Sequence, residues 1–279
     1  MTTTVHPRPI VASPSPPVPA ARSHSDLQVT ERRVIRSEWI KLRSVLSLRL
    51  GFLAAAFIAV VLAGIFASSG DGGGPKAAID SLSLSLAGLR ITQLIIGVLG
   101  VVVVSSEYST GLIRSTLQSV RSRLSVLRAK SVVFATSTFV VVGIAACAAF
   151  FVGKATYGGI QPELGLSDPG VVRVLVGTVL YTVGVGLFGV ALGFLLRGAA
   201  AAIGVLFATL LIVPALAGLL PWSWATSLTE VLPSNAGDAV MTLSPSSTLL
   251  SPTSGAIVVA LWVVGLLVLA GVALRSRDA

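Results

Sequence analysis

Side chains able to do chemistry are sparse in this chain of 279 residues, and the densest group of them is cationic. The segment SSEYSTGLIRSTLQSVRSRLSVLRAK, from Ser105 to Lys130, sets Arg114, Arg121, Arg123, Arg128 and Lys130 against a single acid, Glu107. Such a group offers charge and hydrogen bonds for docking, but no nucleophile with a base beside it. His6 and His24 both fall in the N-terminal tail, which excludes a histidine-based catalytic or metal site in the body of the chain. Cys147 is the only cysteine, so an intrachain disulfide or a thiolate metal cage cannot form. Its place in an apolar run predicts a small buried hydrophobe. A phosphate-binding loop needs a glycine-rich turn ending in Gly-Lys-Ser/Thr, so that backbone amides and the lysine cradle the phosphates. The only Gly-Lys pair, Gly153-Lys154, is followed by Ala155 and lacks a glycine five residues earlier. The chain is therefore expected to have no ATPase site, and no catalytic, cofactor or metal site of its own.

The elements that must position these charges are set by composition. Apolar residues make up 54% of the chain and charged residues 11%, with a mean hydropathy of +0.92. Soluble domains carry about a quarter charged residues, so the chain belongs in a bilayer. Residues 1–25, rich in Pro and Ser, cannot bury enough surface to fold and are expected to be a disordered tail. The tail is not expected to be a cleavable signal, because the first long apolar run begins only near Leu48. Six apolar runs, about 48–68, 84–104, 131–153, 172–196, 199–220 and 255–274, are each long enough to cross the hydrocarbon as a helix. The expected fold is thus an all-α integral membrane protein: a six-span domain over 48–279, preceded by a cytoplasmic amphipathic helix over 26–47. Gly189 and Gly193 form a small-xxx-small pair that lets helices approach. The fourth and fifth spans, separated only around Arg197, must form a tight hairpin.

The net charge of +9 would suggest nucleic acid on a soluble domain. Here the cations lie between apolar runs, where the positive-inside rule explains them and nucleic acid is not expected. With the N-terminus inside, sixteen Lys and Arg face the cytoplasm and four (Lys76, Arg90, Lys154 and Arg173) face out. Both termini are therefore expected to be cytoplasmic, and Ser105–Lys130 becomes the largest inner loop. Arg90 and Arg173, near outer ends, are expected to snorkel to water.

Three segments remain. In DLQVTERRVIRSEWIKLRSVLSLRL, Ile35, Trp39, Leu42 and Leu46 recur at helical spacing behind the N-cap candidate Thr30, with Arg32, Arg33, Arg36, Lys41 and Arg43 at the border. That pattern predicts a helix in the inner headgroup layer, either a plain anchor or one that also touches another subunit. In the central segment, Ser105 or Ser106 is expected to cap a new helix whose first turn holds Glu107, and Gly111 interrupts it. In the outer stretch PWSWATSLTEVLPSNAGDAVMTLSP, Trp222 and Trp224 suit an aromatic belt. Glu230 and Asp238 cannot enter lipid unless the backbone folds against protein, the alternative being a surface-lying spacer.

SEWIKLRSV, SSEYSTGLIRSTL…RLSVLRAKSVV, the six spans and VLPSNAGDAV together resemble the permease subunits of type 2 ABC transporters, in the compact actinobacterial form. The resemblance runs from about Thr30 onward. It implies a permease that pairs with a second permease copy, identical or related, and is engaged from the cytoplasm by a separate ATP-binding subunit, which uses the ATP. The docking site it implies comprises Glu107, Tyr108, Ser109, Thr110, Gly111 and Arg114. The implied interface helix covers Thr30–Ser47 and includes Glu38, Trp39, Lys41, Leu42 and Arg43. Short outer helices carrying Trp222, Trp224, Glu230, Pro233, Asn235 and Asp238 would dip back and gate the exit. Export across the cell membrane is the implied direction. Reversing the charge at Glu107 is expected to abolish transport while expression persists. Thr178, Tyr181 and Thr182 are candidate pathway residues, and a lipidic or amphipathic cargo would suit apolar walls. An ion-coupled carrier competes with this reading, weakened by the lack of any acid expected at mid-membrane.

Overall fold

The computed structural model describes residues 30–69, 77–112, 122–157, 165–243 and 250–276, and within them every regular element is helical. Arg114, the two histidines and the proline-rich tail lie outside the described residues. The helices are α1 (Glu31–Ser44), α2 (Leu46–Ser68), α3 (Ala77–Ser109), α4 (Arg123–Thr156), α5 (Val171–Leu196), α6 (Ala199–Phe207), α7 (Val213–Gly218), α8 (Ser223–Glu230), α9 (Pro233–Met241) and α10 (Pro252–Ser276). Six of the helical runs are long and apolar enough to span a bilayer: α2, α3, α4, α5, the α6–α7 run and α10. Their outer faces carry large apolar side chains such as Phe57, Ile144 and Leu261, which are 66–70% exposed. Water would not tolerate so much contiguous apolar surface, whereas lipid requires it. The chain is a multi-pass membrane protein. Cys147 belongs to this outer surface, and the buried setting expected for it is corrected: it is exposed on α4.

Helix α1 starts where Thr30 turns extended (φ −78°, ψ 151°), its carbonyl accepting the amides of Arg33 and Val34 at 2.9 and 3.2 Å. The side chain of Thr30 makes no cap. Glu31 in the first turn and Lys41 and Arg43 in the last complement the helix dipole. Of the expected stripe Ile35–Trp39–Leu42–Leu46, Leu42 is half-buried against the core, while Ile35 and Trp39 face outward, as a side turned to headgroups would. Val34 and Glu38 are buried, and Leu46 already belongs to α2. An ion pair described below draws Glu38 inward and so rotates the helix by one position.

Helices α3 and α4 have 33 and 34 residues, about 50 Å each, and overrun a hydrocarbon slab of about 30 Å. Glu107 lies in the last turn of α3, not in the first turn of a new helix as expected. Between Val101 and Ser109 there is no Gly or Pro to break the run, and Val101, Val103, Val104 and Ser105 are all buried. The chain leaves the helix at Gly111, whose φ of +72° favours glycine.

Helix α5 is the axis of the bundle: 72% of its apolar window is buried, against 17% for each of the last two spans. It meets α3 backbone to backbone. A Cβ at Gly189 would run into the carbonyl oxygen of Gly97, and one at Gly100 into that of Gly186. The small-xxx-small pair thus packs within the chain. Thr178 and Thr182, buried on α5, give their hydroxyls to the carbonyls of Val174 and Thr178 at 2.8 Å each. With Tyr181 only 3% exposed, these side chains are interior in the single chain. In the fifth span a π turn, Ala208–Ile212, leads into Pro214, whose ring cannot accommodate a regular carbonyl four residues back.

Candidate functional site

At the α1 end of the bundle four charges from three helices meet. Lys130, near the start of α4, sends Nζ to Glu38 Oε2 at 2.7 Å and to Glu107 Oε1 at 2.9 Å. Lys41, one turn beyond Glu38 on α1, reaches Glu38 Oε1 at 2.8 Å and Glu107 Oε1 at 3.1 Å. The Lys130 and Glu38 side chains are 3% and 4% exposed, while Lys41 keeps 43% of its surface in solvent. Isolated charges would be prohibitively costly there, but two acids against two lysines cancel, and every carboxylate oxygen of the pair accepts a lysine hydrogen bond except Glu107 Oε2, which is buried without a partner among the described residues. Burial pushes the Glu38 carboxyl up, yet Lys130 and Lys41 outweigh it and hold the group below the usual carboxylate range. Burial likewise depresses the Lys41 ammonium, and Glu38 with Glu107 more than reverses this, so it lies above the usual lysine range. The cluster locks α1, α3 and α4 together. A cavity of about 300 Å³ opens beside it, bounded by Leu42 and Leu48 and by Val102 of α3.

The docking residues implied by the resemblance divide here. Glu107 and Tyr108 turn inward, while Ser109, Thr110 and Gly111 are exposed, with Leu112 57% exposed beside them. Ser109 and Thr110 return their hydroxyls to the carbonyl of Ser106 at 3.0 and 2.8 Å, which stiffens the tip. Charge reversal at Glu107 would set a third cation beside Lys41 and Lys130, so expression would not persist as expected from sequence. Tyr108 packs edge-on against Phe194, ring centroids 6.5 Å apart, and the Arg197 guanidinium lies 5.6 Å over its ring. Arg197 makes the α5–α6 turn with Gly198 and holds φ at +56°, a conformation costing a non-glycine residue about 1 kcal/mol. The cation–π contact returns a similar amount. Arg197→Ala therefore loses about 1 kcal/mol, while Arg197→Gly stays near neutral, a contrast readable in thermal melts of detergent-solubilised protein.

At the other end α9 is clamped into the bundle. Its Pro233, Ala236, Gly237, Ala239 and Met241 are buried, so a purely surface-lying spacer does not describe it. Gly237 lies against the Tyr181 ring and Gly255 against the Ala236 carbonyl, approaches that leave no room for a Cβ. Arg90 of α3 forms an ion pair with Asp238, and Arg173 of α5 donates to the carbonyls of Thr242 and Leu243 at 3.0 and 3.1 Å, capping the end of α9. Both arginines, expected only to snorkel, grip α9. Asn235 is half-buried on α9 and Glu230 half-buried at the end of α8. Trp222 and Trp224 are exposed and stack at 5.5 Å, and Trp262 donates to the Val231 carbonyl at 2.9 Å.

Helix α3 joins the two ends: Arg90 and Glu107 are separated by roughly 25 Å along it. Sequence reasoning placed Glu38, Lys41, Glu107 and Asp238 in candidate sites but missed Lys130 as the partner of both Glu38 and Glu107, Arg90 as the partner of Asp238, and Arg197 as the cation over Tyr108. The available signal was Glu107 itself, a lone acid in a cationic stretch, which needs a specific reason to be there.

No model of a known protein family matches the chain, and comparison with curated proteins finds no match. Fold and site together define a class: a multi-pass helical membrane protein with a buried charge cluster at one end and a clamped short helix at the other.

Proposed function

We propose that the chain is the membrane-spanning permease subunit of an ATP-driven ABC transporter, an exporter of the cell membrane with both termini in the cytoplasm. A separate subunit binds and hydrolyses the ATP, and two permease copies enclose the pathway. The observation that carries this reading is the Glu38–Lys130–Glu107–Lys41 cluster. It ties an amphipathic surface helix to the overrunning ends of two spans, so that a push on the exposed tip, Ser109 to Leu112, moves α1, α3 and α4 as one body. Such a push can reach the opposite end through α3, which holds α9 through Arg90 and Asp238. The sixteen-to-four distribution of basic residues supports a cytoplasmic tip. The fifth and sixth spans, each 17% buried, leave broad apolar faces for a second copy or for lipid. Bound nucleotide drives the change only by contacting the two states unequally.

The test uses exposed residues, which leave the cluster intact. Tagged protein extracted in mild detergent from its native host is expected to bring down a P-loop ATPase identified by mass spectrometry. Ser109→Trp and Thr110→Arg should reduce that recovery at least tenfold at unchanged yield and elution volume. Recovery unaffected by both changes, or vesicle transport driven by an ion gradient without nucleotide, would overturn the proposal.

A further inference from the structure

A groove of about 450 Å³ runs between α4 and α10 at the end that holds the charge cluster. Leu127 and Val132 of α4 and Leu267 and Val268 of α10 wall it. Gly271 lies on its wall, and a Cβ there would approach Leu124 to 3.1 Å and narrow it. Arg128 and Arg275 stand at its mouth, each near the terminus of its helix. Arg128 reaches Glu31 only at 3.5 Å, with both side chains more than 60% exposed, so its guanidinium is loosely held. One turn deeper, the Ser131 hydroxyl oxygen is buried and has no hydrogen-bond partner among the described residues.

The arrangement is amphipathic along its length: two guanidiniums, then a hydroxyl, then an apolar trough open to the bilayer. A free phosphate would satisfy the mouth and leave the trough unused. A zwitterionic lipid would bring an ammonium to two arginines. Guanidinium forks match phosphate oxygens, and basic recesses between spans select anionic headgroups. We infer that the α4–α10 groove binds one anionic phospholipid, its phosphate between Arg128 and Arg275 and an acyl chain along Val268 and Leu127. The site requires only the spans and holds whether or not the protein is a transporter.

Native mass spectrometry of the purified full chain with phosphatidylglycerol and phosphatidylcholine of matched chains tests it. Wild type should retain phosphatidylglycerol in preference. Arg128→Gln with Arg275→Gln should lower that retention roughly thirtyfold. Val268→Trp, which fills the trough, should lower retention of both lipids. All three side chains are on the surface, so yields should hold. Photoactivatable phosphatidylglycerol should label peptides of α4 and α10 in the wild type. Equal retention by the double variant, displacement of the lipid by glycerol phosphate, or labelling confined to other helices would each overturn the assignment.

Discussion

Lys130→Met is expected to unfold the α1 end of the protein, at a cost of about 3–5 kcal/mol. The reason is not the loss of two hydrogen bonds alone. Lys130 is 3% exposed, and without it Glu38 and Glu107 would face each other in a dry site with only the half-exposed Lys41 between them. An uncompensated buried charge costs far more than a well-paired one gains. Combining Lys130→Met with Glu38→Gln and Glu107→Gln should accordingly recover most of the stability, whereas independent effects would add. Lys41→Met, at a partly solvated position, should cost about 1 kcal/mol. Melting midpoints in detergent across these variants check the scheme; a triple variant no better than Lys130→Met would reject it.

The same cluster sets a pH response whose sign can be worked out. Glu38 lies below its unfolded value, so its contribution is present above about 4.3 and disappears as pH falls through the folded value. Lys41 lies above its unfolded value, so its contribution is full below about 10.4 and disappears as pH rises through the folded one. Midpoints should therefore be flat across neutral pH and fall on both flanks, and the acid flank should be lost in the triple variant.

Gly189→Ala is the second large effect. The added methyl would meet the backbone carbonyl of Gly97, which no rotamer change can move, so α3 and α5 must separate along their whole contact. Overpacking of this kind costs about 3 kcal/mol or more. Gly143→Ala on α4, where a Cβ meets nothing within 4 Å, should instead gain up to about 1 kcal/mol from helix propensity. Yield of monodisperse protein and melting midpoint should move in opposite directions for these two single-methyl changes. Equal tolerance would mean that α3 and α5 are not held backbone to backbone.

How far the sequence can be read differs from element to element. The six spans were legible because a bilayer imposes one demand, about 20 apolar residues, that is written locally along the chain. The helix ends inside the aqueous layer were not: Glu107 looked like the first turn of a new helix, because Ser105 and Ser106 can cap one, yet burial of the valines before them carries α3 straight on. The stripe Ile35–Trp39–Leu42 was genuine amphipathicity. Its orientation, however, was set by an acid on the same helix that finds its partner, Lys130, 92 residues later.

Taken by itself, the sequence determined that the chain lives in lipid, that it crosses six times, and that its cations crowd one set of connections. These follow from composition and local periodicity, which need no knowledge of neighbours. Tertiary structure alone decided which charges are solvated and which are buried. It also turned Arg90 and Arg173 from expected snorkelling side chains into clamps on α9. Pairings between distant positions depend on which helix faces come together, and those faces are chosen by glycine contacts and buried ion pairs that no single segment contains.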